Sequence, residues 1–404
     1  MNGCRRGLLS IALLIVLAIA FSKTLIHLLT EAWWFSVIDF ASVFWTRLTW
    51  QILLWGITFI VYGALLWGNY RWAMQNARSQ AWTLFETSDS ELKTGADHCA
   101  NGVAAFLIFL LALTAASSTV SAWEMVLKYL HPTSFNQQDP IFQQDISFYV
   151  FQLPFYEGMR GWLLGLTVAA IFFALSVYFL RGMIAPGQRS GIQVMGAAKA
   201  HLSLLIGILF VLIAWGFWLD RYHLLYSTGK VVFGADYTDV HARLLAYLVM
   251  SAIALGTAVL FVLSMHRRSF SLPLKGLSLF VIAFAGLLGV YPWFVQQFIV
   301  NPNELAKERP YLEHNIQFTQ AAYHLNDVQK EPYAAIAKLN RQSLQTNQAT
   351  IRNIRLWDYR PLLSTYKQLQ EIRLYYKFTD VDIDRYTLNN DYQQVMLSAR
   401  ELSY

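Results

Sequence analysis

Charged residues are scarce in this chain. Of its 404 residues only 14% are Asp, Glu, Lys or Arg, where a soluble domain carries about 25%. The deficit lies before Val300, and the rest of the chain has the composition of an ordinary soluble sequence. Residues 1–296 and 297–404 therefore read as two domains. Cysteine is nearly missing as well, with Cys4 and Cys99 the two present. Neither sits in a CxxC pair, which argues against a thiolate metal site. After Cys99 no cysteine remains for an internal disulfide, and Cys4 precedes the first apolar run, whereas a lipoprotein cysteine follows one. The patterns HExxH, GxxxxGK, GxGxxG and GxSxG do not occur, so the common metalloprotease, phosphate-loop, dinucleotide and serine-hydrolase signatures are missing. No cofactor is expected.

What is present is apolar length. A helix crossing about 30 Å of hydrocarbon needs roughly 20 mostly apolar residues. Seven stretches meet that test: Leu8–Leu28, Leu48–Trp67, Gly102–Trp123, Gly161–Leu180, His201–Leu219, Leu244–Met265 and Leu274–Phe294. The first has a rival reading as a secretory signal, since Arg5 and Arg6 precede it and Ala18-Ile-Ala20 offers a cleavage pattern. Its apolar run continues to Leu28, which favours a retained span; Lys23 can reach back to the interface. The fold class is thus mainly α, a seven-helix transmembrane bundle followed by a partial α+β extracytoplasmic region.

Orientation follows from the Lys/Arg bias of the loops. With the N-terminus in the cytoplasm, the inner segments carry Arg5, Arg6, Arg71, Arg78, Lys93, Arg181, Arg189, Lys199, Arg267, Arg268 and Lys275. The outer loops carry Arg47, Lys128, Arg160, Arg221, Lys230 and Arg243. Seven spans then put the C-terminal region outside a cell membrane. That region is nearly neutral, so the net charge of +6 reflects membrane topology, and no nucleic-acid partner is expected. Aromatic residues from Trp33 to Trp50 form an interfacial belt, and Glu31–Thr46 reads as a helix lying in the interface.

Ionisable residues within spans mark ion-coupled transporters. Spans two to seven hold almost none, with His201 at an edge, which disfavours that class. Two loops remain as candidate sites. In the loop from Asp139 to Tyr156, Asp139 and Asp145 can cap short helices, with Pro154 closing an interfacial or re-entrant element. Between Tyr237 and Leu244, Asp239, His241 and Arg243 alternate. An Asp–His pair can orient a general base, yet no serine or cysteine nucleophile stands beside it. The plainer reading is a helix cap with interface-anchoring charges.

In the C-terminal region helices are expected over Asn303–Leu325, Pro332–Leu339 and Pro361–Tyr376. A turn follows at Leu388-Asn389-Asn390-Asp391, with a returning strand over Gln394–Leu402. Asp380, Asp382 and Asp384 are the metal candidates. With Asp391 they resemble a calcium loop in outline, but Arg385 stands where that loop needs glycine. The alternative is a solvated strand edge paired with Arg373 or Arg385.

Several longer stretches match one family. They are Asp139–Tyr156, Tyr237–Leu244, Asn301–Ile316, Asn353–Asp358 through Gln370–Tyr376, Val381–Tyr386 and Gln394–Leu402. On these the chain resembles the bacterial and cyanobacterial multi-pass membrane proteins grouped as uncharacterised protein family 0182. The resemblance implies seven spans and a large extracytoplasmic domain, in chains so much longer that this one would be their N-terminal portion. It carries no catalytic residue over. The reading is therefore a non-enzymatic envelope protein, with the bilayer and a lipid or envelope protein as partners. A transporter or channel for a neutral or apolar solute is one alternative, and an envelope-modifying membrane enzyme the other.

Overall fold

An apolar run in a bilayer satisfies its backbone most simply as a helix, and the computed structural model is built of such helices. It describes residues 22–78, 90–187, 191–229, 233–266, 271–332, 339–371 and 375–402. Six helical stretches among them are long and apolar enough to cross a membrane: Ala41–Asn76, Gly95–Leu130, Phe148–Leu180, Gly196–Tyr226, Asp239–Leu263 and Ser271–Ala322. They contain the second to fifth and the seventh expected spans, and all but the last two residues of the sixth, Leu244–Met265. Of the first, Leu8–Leu28, residues 8–21 lie outside the described residues, and its end falls in helix α1 (22–37).

The expected single helix over Glu31–Thr46 is two. Helix α1 stops where Asp39 takes a left-handed conformation, φ 63°, which aspartate tolerates better than most residues. Helix α2 (Ala41–Asn76) starts anew. Helix α3 (Ser90–Thr119) passes through one 3-10 turn into the short α4 (Trp123–Leu130). Pro154 does not close a separate element. A π turn over Phe148–Gln152 runs straight into α5 (Leu153–Leu180), with Pro154 in its first turn. A hairpin of β1 (Ile184–Gly187) and β2 (Gly191–Val194) leads to α6 (Gly196–His223). Another π turn, Asp239–Arg243, opens α7 (Leu244–Leu263).

The last apolar helix does not end at the expected domain boundary. Helix α8 (Ser271–Ala283), α9 (Tyr291–Val295) and α10 (Glu304–Ala322) are linked by π turns at Phe284–Val290 and Gln296–Val300 and a 3-10 turn at Asn301–Asn303. Pro154, Pro292 and Pro302 each come just after a π turn. A proline has no N–H to give, and its ring crowds the carbonyl four residues back. One extra residue in the preceding turn relieves that crowding and keeps the helix running.

The bundle core joins α2, α3, α5 and α6. Tyr62, Leu66 and Ala73 meet Ala104, Ile108 and Ala112, then Ala170, Phe173, Ala174 and Val177, then Ala198 and Leu202. Alanines at the crossings let helix backbones approach closely. A second core packs Phe210 and Ala214 on Ala254, Ala258 and Phe261. Ser251 donates to the Ala214 carbonyl (3.0 Å) and Thr257 to that of Gly276 (3.3 Å), tying α7 to α6 and α8.

The chain divides into two compact units, Met1–Asn326 and Asp327–Tyr404. In the second, Pro332–Leu339 was expected to be helical; residues 333–338 lie outside the described residues. Short helices α11 (Arg341–Thr346) and α12 (Gln348–Arg352) come next. The helix expected over Pro361–Tyr376 is shifted to α13 (Tyr359–Gln370). Its start is moved back by the Asp358 side chain, which accepts from the Arg360 N–H (2.9 Å). Tyr376 instead begins β3 (Tyr376–Phe378), held by Glu371, which accepts from the Phe378 N–H (2.7 Å). Strands β4 (Asp382–Leu388) and β5 (Asp391–Leu397) form an antiparallel hairpin in which Asp384 faces Val395. Asn389 and Asn390 turn it with φ of 53° and 64°, as a type I′ turn requires. The single returning strand expected over Gln394–Leu402 is split. At Ser398 the hydroxyl donates to the Asp380 carbonyl, and β6 (Arg400–Leu402) pairs with β3.

Candidate functional site

A cavity of about 770 Å³ opens between α2, α3, α4 and α5. Leu54, Val61 and Tyr62 line it from α2, Leu111 and Ala115 from α3, Met125 from α4, and Phe155, Gly158, Gly161 and Gly165 from α5. The three hydroxyls on α3 bond back to their own helix, while the Tyr62 hydroxyl of α2 lies opposite Gly165, 3.5 Å from where a Cβ would stand. Thr114 donates to Leu111 (3.0 Å), Ser118 to Ala115 (2.8 Å) and Thr119 to Ala116 (2.8 Å), each to a carbonyl three residues back. The Trp162 Nε1 is buried without a hydrogen-bond partner, and its ring meets Tyr62 edge to face at 5.7 Å. At the α4 end, Tyr129 stacks on Phe155 at 3.9 Å. The wall is thus mainly hydrocarbon, with the Tyr62 hydroxyl and the Trp162 Nε1 as its polar points.

Near the other end of the bundle lies a polar cluster that the sequence reading did not foresee. His201, placed there at the edge of its span, is 1% exposed. Asn76 Nδ2 donates to the Tyr178 hydroxyl (3.0 Å), so the Tyr178 proton is directed at His201 Nδ1 (2.8 Å). That fixes the proton of His201 on Nε2, which donates to Asn69 Oδ1 (3.0 Å), while Asn69 Nδ2 donates to the Ala170 carbonyl (2.9 Å). Trp72 lies over the imidazole at 4.2 Å. Tyr70 donates to Asn101 (3.0 Å), and Arg181 pairs with Asp97. The run of neutral side chains from Asn76 through Tyr178, His201 and Asn69 ends on the Ala170 carbonyl and clasps α2, α5 and α6. A signal existed: Asn69, Asn76, Asn101, Tyr178 and His201 all stand at the same side of successive apolar stretches.

The structure puts Asp239, His241 and Arg243 on one helical turn but gives them separate tasks. Asp236 caps this helix, accepting from the Asp239 N–H (2.7 Å), and Asp239 reaches back towards the Asp236 N–H (3.4 Å). This is a capping box. Asp239 is fully buried and pairs with Arg243 Nη1 (2.6 Å) and the Ser227 hydroxyl (2.5 Å). It is not joined to His241. That ring is exposed, stacks on Tyr237 at 4.0 Å, and sets its Nδ1 by the Tyr237 carbonyl (3.2 Å) and the Tyr311 hydroxyl (3.3 Å). The Asp–His base geometry is therefore not assembled. Burial pushes the Asp236 carboxyl above the usual carboxylate range. Glu308 accepts from the Tyr237 N–H (3.1 Å), Gln296 from the Thr238 hydroxyl (2.5 Å), and Asn315 donates to the Phe233 carbonyl (2.9 Å). Within the first unit these bonds hold α10 and the turn before it against the segment that opens α7.

Asp139 and Asp145 are loop organisers. Asp139 accepts from the N–H groups of Ile141 (2.9 Å), Phe142 (2.6 Å) and Gln144 (2.8 Å) and from the Tyr149 hydroxyl (2.8 Å). Asp145 accepts from the Ser134 hydroxyl (2.6 Å) and from the N–H groups of Phe135 (3.1 Å), Asn136 (3.0 Å) and Ser147 (2.8 Å). Bonds from Ser134 and then Ser147 hold the Asp145 carboxyl well below the usual range. Asp382 and Asp384 share a face of β4, with Asp380 just before it. Asp380 accepts from the Val381 N–H (2.7 Å) and Asp384 from the Arg385 N–H (2.7 Å). Among the described residues no group of three or more acidic, histidine or cysteine side chains is gathered so as to hold a metal.

The model of the Uncharacterised protein family (UPF0182) matches residues 8–404. A UPF0182 protein of Trichodesmium erythraeum is 47% identical over 401 residues, covering 99% of this chain and 43% of the relative. One from Cupriavidus necator is 42% identical over 390 residues, 96% of this chain and 43% of the relative. One from Pelotomaculum thermopropionicum is 44% identical over 301 residues, 74% and 32%. The chain spans less than half the length of these curated relatives. No solved structure matches it.

Proposed function

The chain belongs to the Uncharacterised protein family (UPF0182), and we propose that it is a multi-pass bacterial cell-membrane protein that handles lipid without catalysing a reaction. In this reading residues 8–28 supply a seventh span, the N-terminus is cytoplasmic, and the region after residue 296 stands outside the membrane. The observation that carries it is the apolar slot in the bundle wall. The charged loop residues that an enzyme would use are spent on caps and loop closure: Asp139, Asp145 and Asp239 each hold several local donors. A channel for a neutral polar solute needs a run of wall groups that replace lost water, and the slot's α3 hydroxyls already serve their own helix.

Native mass spectrometry of the protein released from lipid nanodiscs tests the reading. One defined lipid should stay bound through release. A protein that emerges bare under the gentlest conditions would rule lipid handling out. Orientation is tested by Cys99, which is exposed. A membrane-impermeant maleimide should label it in permeabilised cells and leave it untouched in intact ones.

A further inference from the structure

We propose that the slot between α2, α3, α4 and α5 is a binding site for one hydrocarbon chain of a membrane glycerolipid. This rests on the lipid-handling reading and gives it a place. The first argument is the glycines. Gly158, Gly161 and Gly165 recur on α5 at a spacing that puts them on one helix face. Each costs about 1 kcal/mol of helix propensity relative to alanine. In membrane bundles such residues commonly permit close helix contact. Gly161 does not: a Cβ built there would meet nothing within 4 Å. At Gly158 the atom in the way is the Met125 Cε, 2.7 Å off, the far end of a flexible side chain. At Gly165 a Cβ would touch the Tyr62 hydroxyl of α2 at 3.5 Å, so at Gly158 and Gly161 the missing side chains keep a slot open, and Gly165 marks where α2 comes up against α5.

Shape and chemistry then select the occupant. The lining on α5 runs from Phe155 to Gly165, about 15 Å at 1.5 Å per residue. The volume of about 770 Å³ lies within the roughly 300–1,000 Å³ of small-molecule sites. The polar groups in the lining without a bond of their own are the Tyr62 hydroxyl and the Trp162 Nε1, so a polar guest with more than one or two donors and acceptors would leave the rest unmatched, at about 1–3 kcal/mol each. A hydrocarbon chain carries none to leave unmatched. The slot opens sideways, beside Ile57 and Leu111, which are 53% and 38% exposed, so a chain enters from the bilayer. Met125 and the stacked Tyr129–Phe155 pair stand at one end as an adaptable cover.

The test uses a phosphatidylglycerol with a diazirine in mid-chain as probe. The full chain is loaded in nanodiscs, extracted into mild detergent, washed and irradiated. Label should concentrate in the peptides holding Leu54–Tyr62 and Phe155–Gly165. Gly161→Phe fills the slot and should lower retained label about tenfold. Gly256→Phe, at a glycine of α7 that also has open space, should leave it unchanged. If Gly161→Phe fails to give monodisperse protein, Val61→Trp narrows the slot from α2 with the same expected loss. Undiminished label in both slot variants overturns this site while lipid handling survives. A wild type that retains no probe and no native lipid overturns both. Crosslinks between two copies through the slot, with no lipid label, overturn the site in favour of a helix as occupant.

Discussion

Asp239 makes the point that burial decides what a charged residue does. On spacing it is a partner for His241; in the fold it is the partner of Arg243, Ser227 and its own helix start. Asp239→Ala should lower stability by about 1–3 kcal/mol, the loss of bonds to a buried carboxylate, moderated because Arg243 is half exposed. Thermal unfolding in detergent reads it, and Asp239→Asn should recover part. Asp236 behaves oppositely. Its carboxyl is held above its usual range by burial, with the Asp239 charge adding to the effect, so the native state favours its protonated form more than the unfolded chain does. Ionisation therefore weakens the fold at neutral pH. Asp236→Asn keeps the capping acceptor and should melt higher than wild type at pH 7. The gap should shrink as pH falls through the Asp236 value. Asp145 has the reverse sign. Its lowered value means its contribution is full above the ordinary carboxylate range and fades on acidification through it.

Elements were legible where their signals were local. The paired asparagines of the hairpin turn could be read directly, because left-handed positions favour few residues. Asn390→Val should destabilise that hairpin by about 1–2 kcal/mol, seen as faster proteolysis after residue 388 of the full chain, and Asn390→Gly should not. The split of the returning strand was not legible, since it depends on Ser398 meeting a carbonyl 18 positions away. Nor were the π turns: proline signals an end to helix, and the extra residue before it lets the helix pass. The His201 cluster was missed for a related reason. Each helix brings one or two polar groups that look like edge residues, and only packing unites them. Tyr178→Phe removes the donor to His201 and the acceptor of Asn76. It should cost about 1–3 kcal/mol, measured as a lower melting temperature at unchanged helix content.

At the scale of the molecule, the six described apolar helices could be read from hydropathy alone, because bilayer thickness imposes their length. The slot could not. It arises from three glycines on one helix opposite residues of three others, and no single stretch of sequence announces an empty space. The cluster around His201 has one further consequence, in time. Asn69 is made 132 residues before the histidine that completes its bonding. At roughly 5–20 residues per second that is an interval of about 7–26 s. Through it the asparagines of α2 sit uncovered beside a half-built bundle. A nascent chain arrested before α6 should therefore be recognised as unfinished and degraded, whereas one arrested just after it has its clasp and should persist.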